Sequence, residues 1–323
     1  MKEIPFSPLE NWVEKLNYWG RANVPFYFLC DFSCQNTWAG SKNEADELGI
    51  LFSFKGSKEE EKEKVPIKKY PIDKRLYFDK FKFVQEQLKR GNSFLVNLTQ
   101  KTKIDLNQTL EDIFHRANAP YKLLVKEKFV VFSPETFIQL ENGIIRSHPM
   151  KGTISATIPN SKSILLNDSK ENAEHATIVD LIRNDISQIA FPIEVKKYKY
   201  LDLVKTNEGD LWQMSSIIQG KISSNFENKI GSILQALLPA GSITGAPKNQ
   251  TLEIIQEVEG YDRGFYTGIM GYYDGNRFDS AVLIRYIEQE ENQFYFKSGG
   301  GITVFSDSNK EYDELIQKIY LPF

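Results

Sequence analysis

Histidine is scarce in this 323-residue chain, with three in all, and cysteine scarcer, with two. A structural zinc site takes about four Cys or His ligands, so scattered histidines and a lone pair, Cys30 and Cys34, argue against one. The pair reads as ordinary reduced thiols. Positive charge is in no excess: 40 Lys and Arg stand against 43 Asp and Glu, a formal net charge of −3. That removes the basic footprint of a nucleic-acid or membrane-surface binder. No apolar run approaches the roughly 18 residues of a membrane span, and Met1 to Pro5 offers neither a basic n-region nor an apolar h-region. A cytoplasmic protein with no nucleic-acid or membrane partner is expected. Gly-x-Gly-x-x-Gly is absent, and the Gly-rich stretch at 241–248 lacks the Gly-Lys-Ser/Thr ending of a phosphate loop, which weakens dinucleotide and ATPase readings.

What is present is core material. Hydrophobic residues make up 41% of the chain and aromatics 13%, ample for a large core. No repeat or low-complexity linker marks a boundary, so 1–323 reads as one domain. The mixed-sign run 57–64 reads as a solvated loop. Residues 24–29 and 48–54 read as strands, 79–90 as an amphipathic helix stopped by Gly91-Asn92, 93–99 as a strand and 110–117 as a helix. Residues 125–133 read as strand around a Lys-Glu-Lys turn, delivering Ser133-Pro134-Glu135 at its end.

Several later stretches suggest chemistry. Pro149-Met150-Lys151-Gly152-Thr153 reads as a lysine in a tight glycine-containing turn. Asp168 and Glu171 form a capping-box pattern opening a helix with apolar positions Ile178, Leu181, Ile182 and Ile189, which carries Glu174 near its start. Residues 241–248 form a Gly-rich loop feeding a helix N-terminus, with Pro247 suited to its first turn. A hairpin is expected from 264–273 and 277–288 around Asp274-Gly275-Asn276, followed by a strand from Phe294. Arg285 then shares an apolar face with Leu283 and Ile287, a costly placement unless it meets an anion. Gly299-Gly300-Gly301 interrupts the last strand, either as a bulge or as a close backbone approach to a ligand. Ser308 to Glu311 reads as a second capping box. The helix it opens carries Glu311, Glu314 and Lys318 on one face, with Glu314 the freer carboxylate; a solvated face has the same pattern.

Together these stretches resemble the chorismate-utilising enzyme family over residues 77–318. Ser133-Pro134-Glu135, Pro149 to Thr153, Glu171-Asn172-Ala173-Glu174-His175 with Asp180 to Asp185, 241–248, Gly268 to Tyr272, Ile284-Arg285 and Ser298 to Ile302 carry the resemblance. It implies an α+β fold: two large antiparallel sheets packed face to face with helices outside. Residues 1–75 would be a shortened N-terminal portion and 76–320 the catalytic core. The Pro-x-Lys-Gly-Thr form resembles that of the aminodeoxychorismate synthase branch, where anthranilate synthases usually have alanine at the position of Lys151. The branch implies attack by neutral Lys151 on C2 of chorismate, Glu135 as the acid for the leaving hydroxyl, then ammonia addition at C4. It further implies substrate contacts from Thr153, Thr244, Gly245, Tyr272, Arg285, Gly299, Gly300, Gly301 and Lys318, and Mg²⁺ held by Glu174, Glu311 and Glu314. Desolvation or the neighbouring cations Lys318 and Arg285 are expected to lower the lysine's pKa. Gln213 stands where many relatives have the histidine associated with pyruvate elimination. The chain has no room for a fused glutaminase and no cysteine in a Gly-rich elbow, so ammonia is expected from a separate glutamine amidotransferase. Anthranilate or isochorismate synthesis, or a non-catalytic chorismate-binding subunit, are the alternatives.

Overall fold

A strand buried on both faces needs apolar residues at nearly every position, and this chain supplies several such runs. In the computed structural model, which describes residues 2–54, 65–205, 209–222 and 225–323, they form two antiparallel sheets of nine and eight strands among the described residues. The first sheet runs Met150–Ser155, Leu211–Lys221, Ile144–Ser147, Thr136–Glu141, Phe278–Val282, Ile269–Tyr273, Phe26–Cys30, Thr37–Gly40, with Ile193–Val204 also on Leu211–Lys221. The second runs Gly245–Ala246, Leu95–Asp105, Gln293–Ile302, Tyr286–Glu290, Phe129–Ser133, Tyr121–Val125, Ile50–Ser53, with Lys68–Tyr70 also on Leu95–Asp105.

Alternation along the strands sorts their side chains into layers. Leu29, Met270 and Ala281 of the first sheet meet Leu123, Val125, Val131 and Tyr286 of the second in one buried cluster between the sheets. Their neighbours Phe26, Phe28, Ile269 and Phe278 face outward, where the helices Leu9–Arg21, Ser169–Ser187 and Ile230–Leu237 cover them. Outside the second sheet, Lys74–Lys89 and Lys248–Glu259 pack over Val96, Leu98 and Ile302, and Leu110–Arg116 packs over Val130 and Phe132. A one-residue slip would exchange inner and outer sets. Each large side chain so displaced forfeits roughly 1.5–3 kcal/mol, which pins the register. The expected two-sheet α+β architecture is the one the chain adopts.

Local departures have physical causes. The helix expected over 79–90 is Lys74–Lys89, because Asp73 caps it by accepting the N–H groups of Arg75 and Leu76. Residues 277–288 are not one strand. Phe278–Val282 pairs in the first sheet and Tyr286–Glu290 in the second, so the chain crosses between sheets at Arg285, which takes φ 56°. Gly299, Gly300 and Gly301 form no bulge; they stay in register opposite Thr99, Leu98 and Asn97. The charged run 57–64 lies outside the described residues. Cys30 and Cys34 are both unbridged. Among the described residues no helix is long and apolar enough to cross a membrane.

Candidate active site

Lys151 does not sit in a turn. It lies on Met150–Ser155, opposite Met214, and the next paired residue, Thr153, lies opposite Gln213, so the strand bulges at Gly152. A bulge re-aims the side chains beside it, and Lys151, Gly152 and Thr153 all line a cavity of about 420 Å³. Only glycine suits position 152: φ is 76°, and a Cβ would fall 2.7 Å from Glu171 Oε2. Across the cavity, a Cβ on Gly301 would fall 2.7 Å from Lys151 Nζ. The glycine run therefore makes the space in which the lysine lies.

Carboxylates crowd one side of this amine. Glu174 Oε2 is 3.7 Å from Lys151 Nζ. Lys170 Nζ lies 3.4 Å from Glu174 Oε1 and 2.8 Å from Glu311 Oε1, linking the helices Ser169–Ser187 and Ser308–Gln317. Lys170 hydrogen-bonds Glu311 and offsets the charge of Glu174, whose buried Oε1 accepts no hydrogen bond. Lys318 Nζ lies 2.7 Å from Glu314 Oε1 and donates to the Gly299 carbonyl at 2.8 Å. Burial alone would depress Lys151, but Glu174, Glu314, Glu171 and Glu311 outweigh it and hold the amine above its ordinary range. This corrects the expectation of a lowered lysine. Glu171 is pushed up to about 7 by burial, with Glu174 and Glu314 adding to the rise. Burial also favours neutral Glu314, yet Lys318, Lys151 and Lys170 prevail and pull it down to about 2.

The cavity's other side is poor in anions. Glu135, at the end of Phe129–Ser133, is 8% exposed and accepts a hydrogen bond from Ser242 Oγ at 2.6 Å. Burial raises its carboxyl above the ordinary range, against the opposing pull of Ser242, Lys151, Arg285 and Lys318. Arg285 donates from Nε to the Tyr320 hydroxyl at 3.0 Å and forms no ion pair among the described residues. Its strained crossing position places a half-buried guanidinium at the cavity wall, where the carboxyl it faces is that of Glu135.

Of the expected site residues, Lys151, Glu135, Thr153, Arg285, Gly299, Glu314 and Lys318 line the cavity. Glu174 and Glu311 are buried at its carboxylate side, and Gly300 faces Glu311, Glu314 and Lys318. Three are not brought together with them. Thr244 is fully buried and donates to the Ala240 carbonyl at 2.9 Å. Gly245 pairs with Val96 at the second sheet's edge. Tyr272 packs against Phe54, ring centroids 4.4 Å apart, in an aromatic cluster. Residues 241–248 are not an open anion loop either: they fold as a short helix, Gly241–Thr244, and an edge strand, and Pro247 caps the next helix from outside.

Lys170, Glu171 and Ser242 were missed. Glu171 does not close a capping box: Asp168 accepts its N–H, but its carboxyl turns toward Gly152. At the last helix Asp307, not Ser308, is the cap, accepting from Asn309 and Lys310. That releases Glu311 for Lys170. The available signal was the i, i+3 spacing of Glu171 with Glu174 and of Glu311 with Glu314, which stacks each pair on one helical face.

Comparison with known proteins places this geometry. A family model described as "chorismate binding enzyme" matches residues 23–322. The chain is 46% identical over 320 residues to an "Uncharacterized PabA-like protein" of Haemophilus influenzae, covering 98% of each. It is 34% identical over 256 residues to "Aminodeoxychorismate synthase component 1" of Salmonella typhimurium, covering 75% of this chain and 56% of that one. The solved structure of anthranilate synthase component I from Streptococcus pneumoniae superposes with a TM-score of 0.66 at 26% identity, over 80% of this chain and 59% of that one.

Proposed function

The chain belongs to the chorismate binding enzyme family, and we propose that it is an aminodeoxychorismate synthase component, converting chorismate and ammonia to 4-amino-4-deoxychorismate and water. The observation that carries the reading is the pairing, in one cavity, of a lysine amine with a buried carboxyl held above its ordinary range. A family member that only adds a small nucleophile to the ring needs the acid but no second nucleophile.

In the proposed reaction the Lys151 amine forms a bond to C2, the ring double bond shifts, and the C4–O bond breaks as Glu135 delivers its proton to the departing hydroxyl. Ammonia then bonds to C4 and the lysine leaves C2, restoring the ring. Hydroxide is a poor leaving group, so a neutral buried acid is what the first step requires. Arg285 and Lys318 are suited to the substrate's carboxylates. The Lys151 ammonium must first lose a proton, which the surrounding carboxylates resist while they are charged.

The donor chemistry on that side fits Mg²⁺. Glu174 and Glu311 offer hard, buried carboxylate oxygens, and Glu174 Oε1 accepts no hydrogen bond. Among the described residues no three His, Cys, Asp or Glu side chains are grouped to hold a metal, and Mg²⁺ is commonly bound by one or two carboxylates plus water and substrate. Glu174 with Glu311 or Glu314 would hold it. Held there, Mg²⁺ would supply positive charge to a substrate carboxylate and would offset the carboxylates that keep Lys151 protonated.

Gln213 lines the same cavity and is no base near neutral pH, so the proposed product keeps its enolpyruvyl group. Ammonia is supplied by a separate glutamine amidotransferase. Incubation with chorismate, Mg²⁺ and ammonium, with the product identified by chromatography and mass, tests the proposal. 4-Amino-4-deoxychorismate is expected; anthranilate, isochorismate or unchanged chorismate would refute it.

A further inference from the structure

The short helix Gly241–Thr244 is held more firmly than four residues at a cavity wall require. Asp185 packs directly against its first residue, where a Cβ on Gly241 would fall 2.7 Å from Asp185 Oδ2. Lys248 Nζ clamps Asp185 Oδ2 at 3.0 Å and the Leu237 carbonyl at 2.9 Å. From the far side the fully buried Arg263 donates to the Ile243 carbonyl at 3.0 Å, to the Asn97 carbonyl at 2.7 Å, and through Nε and Nη2 to Glu259. Between these two clamps stands Ser242, whose hydroxyl reaches Glu135 Oε1 at 2.6 Å.

We propose that Ser242 is a positioning residue that assigns the acid proton of Glu135: by donating to Oε1, its hydroxyl leaves Oε2 as the oxygen that carries and delivers the proton. This rests on Glu135 being the acid of the reaction proposed above. A carboxyl that presents its proton from either oxygen is correctly oriented only part of the time, whereas one oxygen committed to a rigidly held donor removes that freedom. When the proton passes to the departing hydroxyl, the C4–O bond breaks and Glu135 is left as a carboxylate. The same Ser242 bond then has a charged acceptor and is stronger than before. The other ionisable groups facing Glu135 are Lys151 on its strand, Arg285 at the sheet crossing, Lys318 after the last helix and Tyr266. None of the three cations supplies a neutral donor fixed to one oxygen.

The test uses the full chain with glutamate labelled by ¹³C at the carboxyl carbon, the Glu135 signal being assigned by its loss in Glu135→Gln. Ser242→Ala removes the donor; Ser242→Thr retains a hydroxyl and controls for folding. The Glu135 titration is expected to move to higher pH in Ser242→Ala and to stay near wild type in Ser242→Thr. On chorismate, kcat should fall on the order of tenfold or more in Ser242→Ala, the size of one hydrogen bond to a charged acceptor, with KM little changed. An unmoved titration or unchanged kcat in Ser242→Ala, in a wild type that consumes chorismate, overturns the Ser242 assignment alone. A wild type that consumes no chorismate overturns it together with the function on which it rests.

Discussion

Replacing Gly301 with alanine puts one methyl group where the geometry leaves no room for it and disturbs little else. The new Cβ would lie 2.7 Å from Lys151 Nζ, 3.0 Å from Leu95 Cδ1 and 3.7 Å from Lys151 Cε. Gly301 sits in regular ladder register opposite Asn97, so alanine meets no backbone conflict. The intrusion lands on the end of a flexible side chain. To regain a contact of about 3.5 Å the amine must retreat by about 1 Å, and misplacement of that size costs on the order of 10²-fold in rate. Leu95 must give by a few tenths of an ångström, an overpacking cost of roughly 1–2 kcal/mol partly offset by the reduced unfolded-state freedom of alanine. The resulting fall in Tm should be about 3 °C or less for a chain of this size. Gly300→Ala is the matched control, because its Cβ would meet Glu311, Glu314 and Lys318 only at 3.5–3.7 Å. Steady-state consumption of chorismate, read beside a thermal melt, should show Gly301→Ala folded but nearly inactive and Gly300→Ala impaired far less. Equal activity in the two variants would refute the confinement of Lys151 by the glycine run.

Lys170→Met strands Glu174 and Glu311 without their shared cation, which should cost about 3 kcal/mol or more in metal-free buffer, a loss of several degrees in a melt that Mg²⁺ restores; an unchanged melt, or no rescue, would contradict the carboxylate assignment. Glu171, pushed up to about 7 from 4.5, contributes its folded-state preference for the neutral form below about pH 4.5 and loses it as pH rises through 7. Without Mg²⁺, Glu171→Gln should therefore match wild type near pH 4 and exceed it at pH 8, by roughly 3 kcal/mol at most. A gain at low pH instead would reverse the sign and the argument. Ammonium should support turnover by the purified chain, whereas glutamine should not without a second protein; glutamine-driven synthesis by this chain alone would overturn the proposed partner.

The architecture was legible through the family resemblance carried by the motifs; the apolar run Phe129 to Ser133 marked a strand, while Tyr121 to Val125, buried at every position, was not recognised as its separate partner. Lys151, Glu135, Glu174 and Glu314 were legible as motifs. The surroundings that decide their chemistry were not. Arg285 looked like one position in a long strand, since alternation cannot reveal that Phe278–Val282 and Tyr286–Glu290 belong to different sheets. Ser308 and Asp307 are both good caps, and the choice between them decides whether Glu311 is spent on its own helix or turned toward Lys170. Ser242 and Glu135 are separated by 107 residues, and no local pattern announces such a contact. The charge state of Lys151 failed for the same reason: it depends on four carboxylates from two helices, while the sequence suggested only the cations Lys318 and Arg285.

The central claim is that Lys151 bonds to the substrate, and intact mass reads it directly. Protein mixed with chorismate and Mg²⁺ but no nitrogen donor should gain the mass of chorismate less one water, on the peptide that contains Lys151. Lys151→Ala and Lys151→Arg should both lack the adduct, since a guanidinium keeps the charge but offers no neutral amine. An unmodified wild type, with both variants turning over within about tenfold of it when ammonium is present, would contradict covalent catalysis by Lys151.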